Sequence, residues 1–177
     1  MTSLQRYLAD AIDELLVGSQ GLVAAIEGLT LDELHVRAHE DTNSIAFNAW
    51  HVFRTADNIV HFVLLRERPV WLQQGLDEAW GLPRNAQGTE MPPEEAHTLR
   101  FPEAPLLAAY GREVAAAIRP RIEALSDEFL AETTPLRPWG EVTKLEAIGR
   151  SILTHGHDHL GQIDLARTIL GKPGLGF

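Results

Sequence analysis

Three of the eight histidines in this chain fall within five positions, at His155, His157 and His159. Neutral imidazole offers a ring-nitrogen lone pair, and residues four apart on a helix lie on one face with Cβ atoms about 6 Å apart. His155 and His159 have that spacing, so together they can offer two lone pairs to one divalent cation. His157 is two residues from each and points elsewhere. A metal site needs at least one more ligand from another element. The chain has no cysteine, so thiolate ligands, disulfides and a cysteine nucleophile are excluded.

The element that carries the pair reads as one helix over residues 143–170. Thr143 is a good N-cap and Glu146, three positions on, completes a capping box. Gly171 and Pro173 supply the stop. Leu145, Ile148, Ile152, Ile163, Ala166 and Ile169 recur at three- and four-residue steps, which predicts a buried stripe. His155 and His159 interrupt that stripe. A hydrogen-bonded pair of core histidines is the plainer reading of the same pattern, so the rest of the chain must supply a partner.

Residues 3–29 read as a first helix, weakened in its middle by Gly18 and Gly21. Thr30 and Glu33 form a second capping box that opens a short turn. His35 and His39 follow among Glu33, Arg37 and Glu40, a pattern that fits a solvated face. Asn43 and Ser44 cap a second long helix, running to about Arg68 before Pro69. It is apolar on most sides. His51 breaks its apolar run directly after Trp50 and is the best-placed partner for His155 and His159. His61, ten residues on, is about 15 Å further along a straight helix and cannot share an ion with it. Arg54, one turn from His51, reads as one half of an ion pair or as an anchor for an anionic group.

Residues 69–105 form the least regular stretch, with short helical turns at 71–80 and from Pro92. Such a connection is usually functional or a crossover between distant helix ends. Trp71 and Trp80 read as anchors of that crossover. A third long helix covers 105–125, with a kink expected at Pro120. Residues 126–130 add a helical turn, and 133–142 read as loop. Four long helices in 177 residues predict an all-α four-helix bundle in one domain, residues 1–177. In such a bundle His51 from helix two would face His155 and His159 from helix four. Three protein ligands would leave a fourth position for water or substrate, the arrangement of catalytic rather than structural sites.

A net charge of −10 argues against binding nucleic acid through its phosphates. No apolar run approaches the roughly 20 residues that span a bilayer, and the first residues carry no signal-peptide pattern. A soluble cytoplasmic protein acting on a small-molecule substrate is therefore expected. Helix two is apolar over more of its circumference than one core needs, which predicts a homodimer.

The pairing of Trp50-His51 with His155-x-x-x-His159-x-Gly161-Gln162 resembles the DinB-like superfamily of metalloenzymes (the DNA-damage-inducible and YfiT-like proteins). The likeness runs over essentially the whole chain, including the capped short turns and the Trp139-Gly140 loop. It implies an up-down-down-up bundle, often a homodimer, with a three-histidine site for zinc, nickel or a related divalent ion. The family's ligands fall on His51, His155 and His159. Characterised relatives use low-molecular-weight thiols in transferase or isomerase reactions. The expected function is therefore activation of a thiol (S-transferase), or of water (hydrolase), for attack on a small electrophile. The alternative is a non-enzymatic, metal-stabilised, stress-related binding protein. Gly156 departs from the helical pattern between the two ligands, and a π-bulge there would bring His157 into the site.

Overall fold

The structure is a computed structural model that describes residues 3–176. Met1 and Thr2, the start of the N-terminal segment read above, and Phe177 lie outside the described residues. Four long helical units build the bundle. The first is α1 (Leu4–Val17) with α2 (Leu22–Ile26), and α3 (Leu31–Leu34) follows. The second is α4 (Ile45–Asp57), which continues as a π-helical segment, Asn58–Leu64. The crossover holds α5 (Val70–Gln73), α6 (Leu76–Trp80) and α7 (Pro93–Ala96). The third unit is α8 (Ala104–Glu123), with the short α9 (Asp127–Ala131) after it. The fourth is α10 (Lys144–Ile148), a π segment Gly149–Thr154 and α11 (His155–Ile169). The result is the helical bundle the sequence predicts. Helix one packs on helix three and helix two on helix four, around one contiguous apolar core.

The local signals act where they were read. Thr30 and Glu33, and Thr143 and Glu146, each form a reciprocal capping box. The predicted first helix is broken in two: α1 ends at Gly18, whose N–H is taken by the Asp13 and Glu14 carbonyls. Helix two ends near Leu65, short of Arg68, because Arg66 turns to a positive φ of 60°. α8 runs through Pro120 to Glu123.

Two further features differ from expectation. Residues 133–142 are not a plain loop but a hairpin of β1 (Thr133–Leu136) and β2 (Gly140–Thr143), antiparallel with Thr134 opposite Val142. Each strand is only four residues long and one contains Pro135, so neither gives a legible alternating pattern. Ile169, read as part of the buried stripe, is 57% exposed because the helix has run past the core. In contrast, Ile148, Ile152, Ile163 and Ala166 are buried.

Every residue of α4 is buried. The crossover covers the sides that the other long helices leave open. Trp71 is fully buried, with rings of Trp50, Trp80 and Tyr110 at 6.2, 5.5 and 5.4 Å. So the extra apolar circumference of helix two is used within the chain rather than left for a partner. Beneath the crossover, the buried Asp57 carboxylate accepts four hydrogen bonds. The donors are the Val70 and Trp71 N–H groups, the Tyr110 hydroxyl and His61 Nδ1, at 2.8–2.9 Å. Among the described residues no helix is long and apolar enough to cross a membrane.

Candidate metal centre

His51 comes from the middle of α4, and His155 and His159 from the first turns of α11. Their Nε2 atoms converge. Those of His51 and His155 are 3.0 Å apart, and those of His155 and His159 are also 3.0 Å apart. One ligand atom from each of the three lies within 4.8 Å of the others, and no fourth His, Asp or Glu joins the group among the described residues.

The opposite ring nitrogens explain the orientation. His51 Nδ1 meets the Gln87 carbonyl at 2.5 Å, His155 Nδ1 the Ser151 carbonyl at 3.2 Å, and His159 Nδ1 the Asn48 side-chain oxygen at 3.0 Å. Each of these partners is an acceptor, so each Nδ1 carries the proton and each Nε2 a lone pair. Lone pairs facing one another at 3.0 Å repel unless a cation lies between them. Histidine ligands whose other nitrogen donates to a carbonyl or side-chain oxygen are the usual outer arrangement of metal sites. Burial keeps the rings neutral. It pushes His51 down to about 4, and pushes His155 down as well. His159 falls to about 3, through burial first and then through its two histidine neighbours. The donor set therefore fits a divalent ion that favours imidazole nitrogen.

Local sequence makes this geometry. Gly88 has φ +97°, and a Cβ there would lie 2.9 Å from Phe47 Cζ and 3.0 Å from His51 Nδ1. Only glycine lets the 87–89 loop reach the imidazole edge. Gly156 serves packing: a Cβ there would sit 2.5 Å from Leu15 Cδ2 and 3.3 Å from Val52 Cγ1. It lets α11 approach α1 and α4, and it does not mark a bulge. The π segment ends two residues earlier, at Thr154, and places the Ser151 carbonyl beneath His155. His157 stays exposed, with Nδ1 on the Leu153 carbonyl, and does not join the group.

The remaining histidines are elsewhere. α3 ends at Leu34, so His35 and His39 do not share a helix. His35 is half-buried rather than solvated, with Nδ1 on the Leu31 carbonyl and Nε2 accepting from the Phe101 N–H. His39 is exposed beside Asp41. His61 is fully buried on Asp57, and His97 contacts Arg37. Arg54 forms no ion pair among the described residues and lies over the Trp71 ring. Sequence reading missed Asn48, Gln87 and Gly88. An asparagine one turn before His51 in an apolar helix was the one visible sign.

Beside His155 is a cavity of about 310 Å³, walled largely by apolar groups of Ile59, Leu136, Pro138 and Trp139. The hairpin turn thus forms one wall. Thr55 reaches the same cavity, and its buried hydroxyl has no partner.

Comparison with known proteins agrees with this fold. A conserved protein of Enterococcus faecalis superposes with a TM-score of 0.82 at 20% identity, covering 97% of this chain and 100% of that one. YfiT from Bacillus subtilis, described as a probable metal-dependent hydrolase with an unusual four-helix bundle topology, gives 0.64 at 14% identity, covering 98% and 92%. No curated protein sequence matches the chain. The model of the DinB superfamily matches residues 15–163, and the chain belongs to that superfamily.

Proposed function

We propose that His51, His155 and His159 hold a divalent ion, zinc or nickel, and that the protein is a metal-dependent enzyme acting on a small electrophile. The observation that carries this reading is the convergence of three Nε2 lone pairs whose Nδ1 protons are all committed to oxygen acceptors. Held by these three neutral imidazoles, the ion would keep its full charge and would supply Lewis acidity to a low-molecular-weight thiol or to water. The chain's own groups do the rest. Asn48 and the Gln87 and Ser151 carbonyls hold the rings in one tautomer. Leu136, Pro138 and Trp139 shield the cavity from water and accept the apolar body of a substrate. The Thr55 hydroxyl offers that substrate a hydrogen bond.

A thiol is favoured as nucleophile because its reference pKa of about 8.5 already lies near neutrality, and the chain has no cysteine of its own to serve instead. Hydrolysis is the second reading, favoured by the description of the Bacillus subtilis neighbour. The lack of a fourth protein ligand among the described residues supports either reaction over a purely structural ion.

The test is metal analysis of untagged protein, followed by reconstitution with zinc, nickel and manganese. Each form is offered a panel of thiols with an activated aryl halide, and a panel of esters. His51→Ala should lose both metal and rate, while His39→Ala and His97→Ala keep both. If no metal form exceeds the His51→Ala rate on either panel, the catalytic reading falls. We also propose a homodimer through α11, where Leu165 and Ile169, one turn apart, are each 57% exposed. A monomer mass by light scattering at micromolar concentration would refute it.

A further inference from the structure

Arg54 is 3% exposed, yet its Nε and Nη1 have no hydrogen-bond partner. Its Nη2 reaches the Arg84 carbonyl, at 3.5 Å, and the Tyr110 hydroxyl lies nearby. The guanidinium lies over the Trp71 ring, 4.9 Å from the centroid. Asp57, the acidic residue one turn on, is already surrounded by four donors. A buried cation left with so few acceptors is costly, and a guanidinium in that state is a strong attractant for an oxyanion.

A cavity of about 290 Å³ opens onto this group, bounded by Arg54, Asn58, Phe62, Leu72, Arg84 and Asn85. It shares no lining residue with the cavity beside the histidines. Phe62, Leu72 and Pro69 make apolar walls, and Asn58 and Asn85 add amide groups. Arg84 stands at the mouth but divides its charge between Asp77 at 2.9 Å and Glu78 at 3.9 Å. So Arg54 is the cation this cavity has to offer.

We propose that the cavity binds a small organic carboxylate, with its head on the Arg54 guanidinium and its short apolar body against Phe62, Pro69 and Leu72. A planar guanidinium matches a carboxylate in a two-point hydrogen bond. One uncommitted cation between apolar walls suits a monoanion with a hydrocarbon tail. A multiply charged phosphate would need more donors and would be repelled by the net charge of −10. The site does not depend on the histidine centre being catalytic.

The experiment is an amide NMR titration of the purified protein with sodium butyrate, with butyramide and inorganic phosphate as controls at matched ionic strength. The expected result is saturable shifts at Asn58, Phe62, Arg84 and Asn85 with butyrate alone. Arg54→Met should weaken binding about tenfold or more, the loss of a charge-assisted hydrogen bond. Leu72→Trp, which fills the cavity and keeps Arg54, should block it. No saturable shift at tens of millimolar butyrate would overturn the site, and equal binding of phosphate would overturn the carboxylate assignment. Shifts centred on His155 and abolished by a chelator would move the carboxylate to the histidine centre and end the proposal. A folded Leu72→Trp protein that binds butyrate normally would end it too, even if Arg54→Met does not fold.

Discussion

Asn48 is the one side chain among the three outer partners of the histidines, since Gln87 and Ser151 act through backbone carbonyls. It can therefore be changed without rebuilding the chain. Asn48 is 2% exposed, and its oxygen accepts the His159 Nδ1 proton at 3.0 Å. Leucine has nearly the same volume but no acceptor, so Asn48→Leu leaves that proton unpaired in a buried place. The ring then either bears the cost, about 1–3 kcal/mol, or moves its proton to Nε2 and stops being a ligand. Either route weakens metal binding by about 10–100-fold, the range for loss of an outer partner. Asn48→Asp should act in the other direction, because a carboxylate raises the basicity of the ring it orients. The assay is competition for zinc against a chromogenic chelator at pH 7.5, with unfolding followed separately to exclude global loss of structure. The expected order of affinity is Asp, then Asn, then Leu. If folded Asn48→Leu binds zinc within twofold of the parent, His159 is not held as argued and the three-ligand centre is misassigned.

Gly156→Ala gains about 1 kcal/mol of helix propensity, but its Cβ would lie 2.5 Å from Leu15 Cδ2. Overpacking of about 1–3 kcal/mol should win, giving a lower thermal midpoint; an unchanged midpoint would show that Leu15 can move aside. Asp57→Asn exchanges four accepted hydrogen bonds for two and turns an amide N–H toward donors. A loss of about 3–5 kcal/mol in urea unfolding is expected, and less than about 1 kcal/mol would contradict the hub. The pH dependence follows from His51 and His159, which burial pushes down to about 4 and about 3, below the ordinary imidazole value of 6.5. The unfolded chain binds more protons, so this contribution is complete above about 6.5 and is lost as pH falls through about 4 to about 3. The urea midpoint of the metal-free protein should drop across that window; a flat profile would mean the rings are protonated in the fold.

Much of this protein is decided locally. A capping box needs only Thr143 and Glu146 three residues apart, or Thr30 and Glu33, and both form as the spacing requires. The same is true of His155 and His159, because about 100° per residue puts positions four apart on one face whatever surrounds them. The apolar stripe around them predicted burial, and His51 was the one histidine on helix two set in an apolar run beside Trp50. What no local pattern contains is distance across the chain. His51 meets His155 over a separation of 104 residues, and its other nitrogen is fixed by a carbonyl 36 residues away. A carbonyl is present at every residue, so sequence cannot single out Gln87. The hairpin likewise becomes a cavity wall only where the bundle places it. Sequence leaves Arg54 as half of an ion pair or as an anchor for an anion, and Asp57 stands one turn on. The crossover gave that neighbour, Asp57, to Val70, Trp71 and Tyr110 instead. Periodicity fixes which side chains share a face, whereas packing fixes which backbone groups and which other helix they meet there.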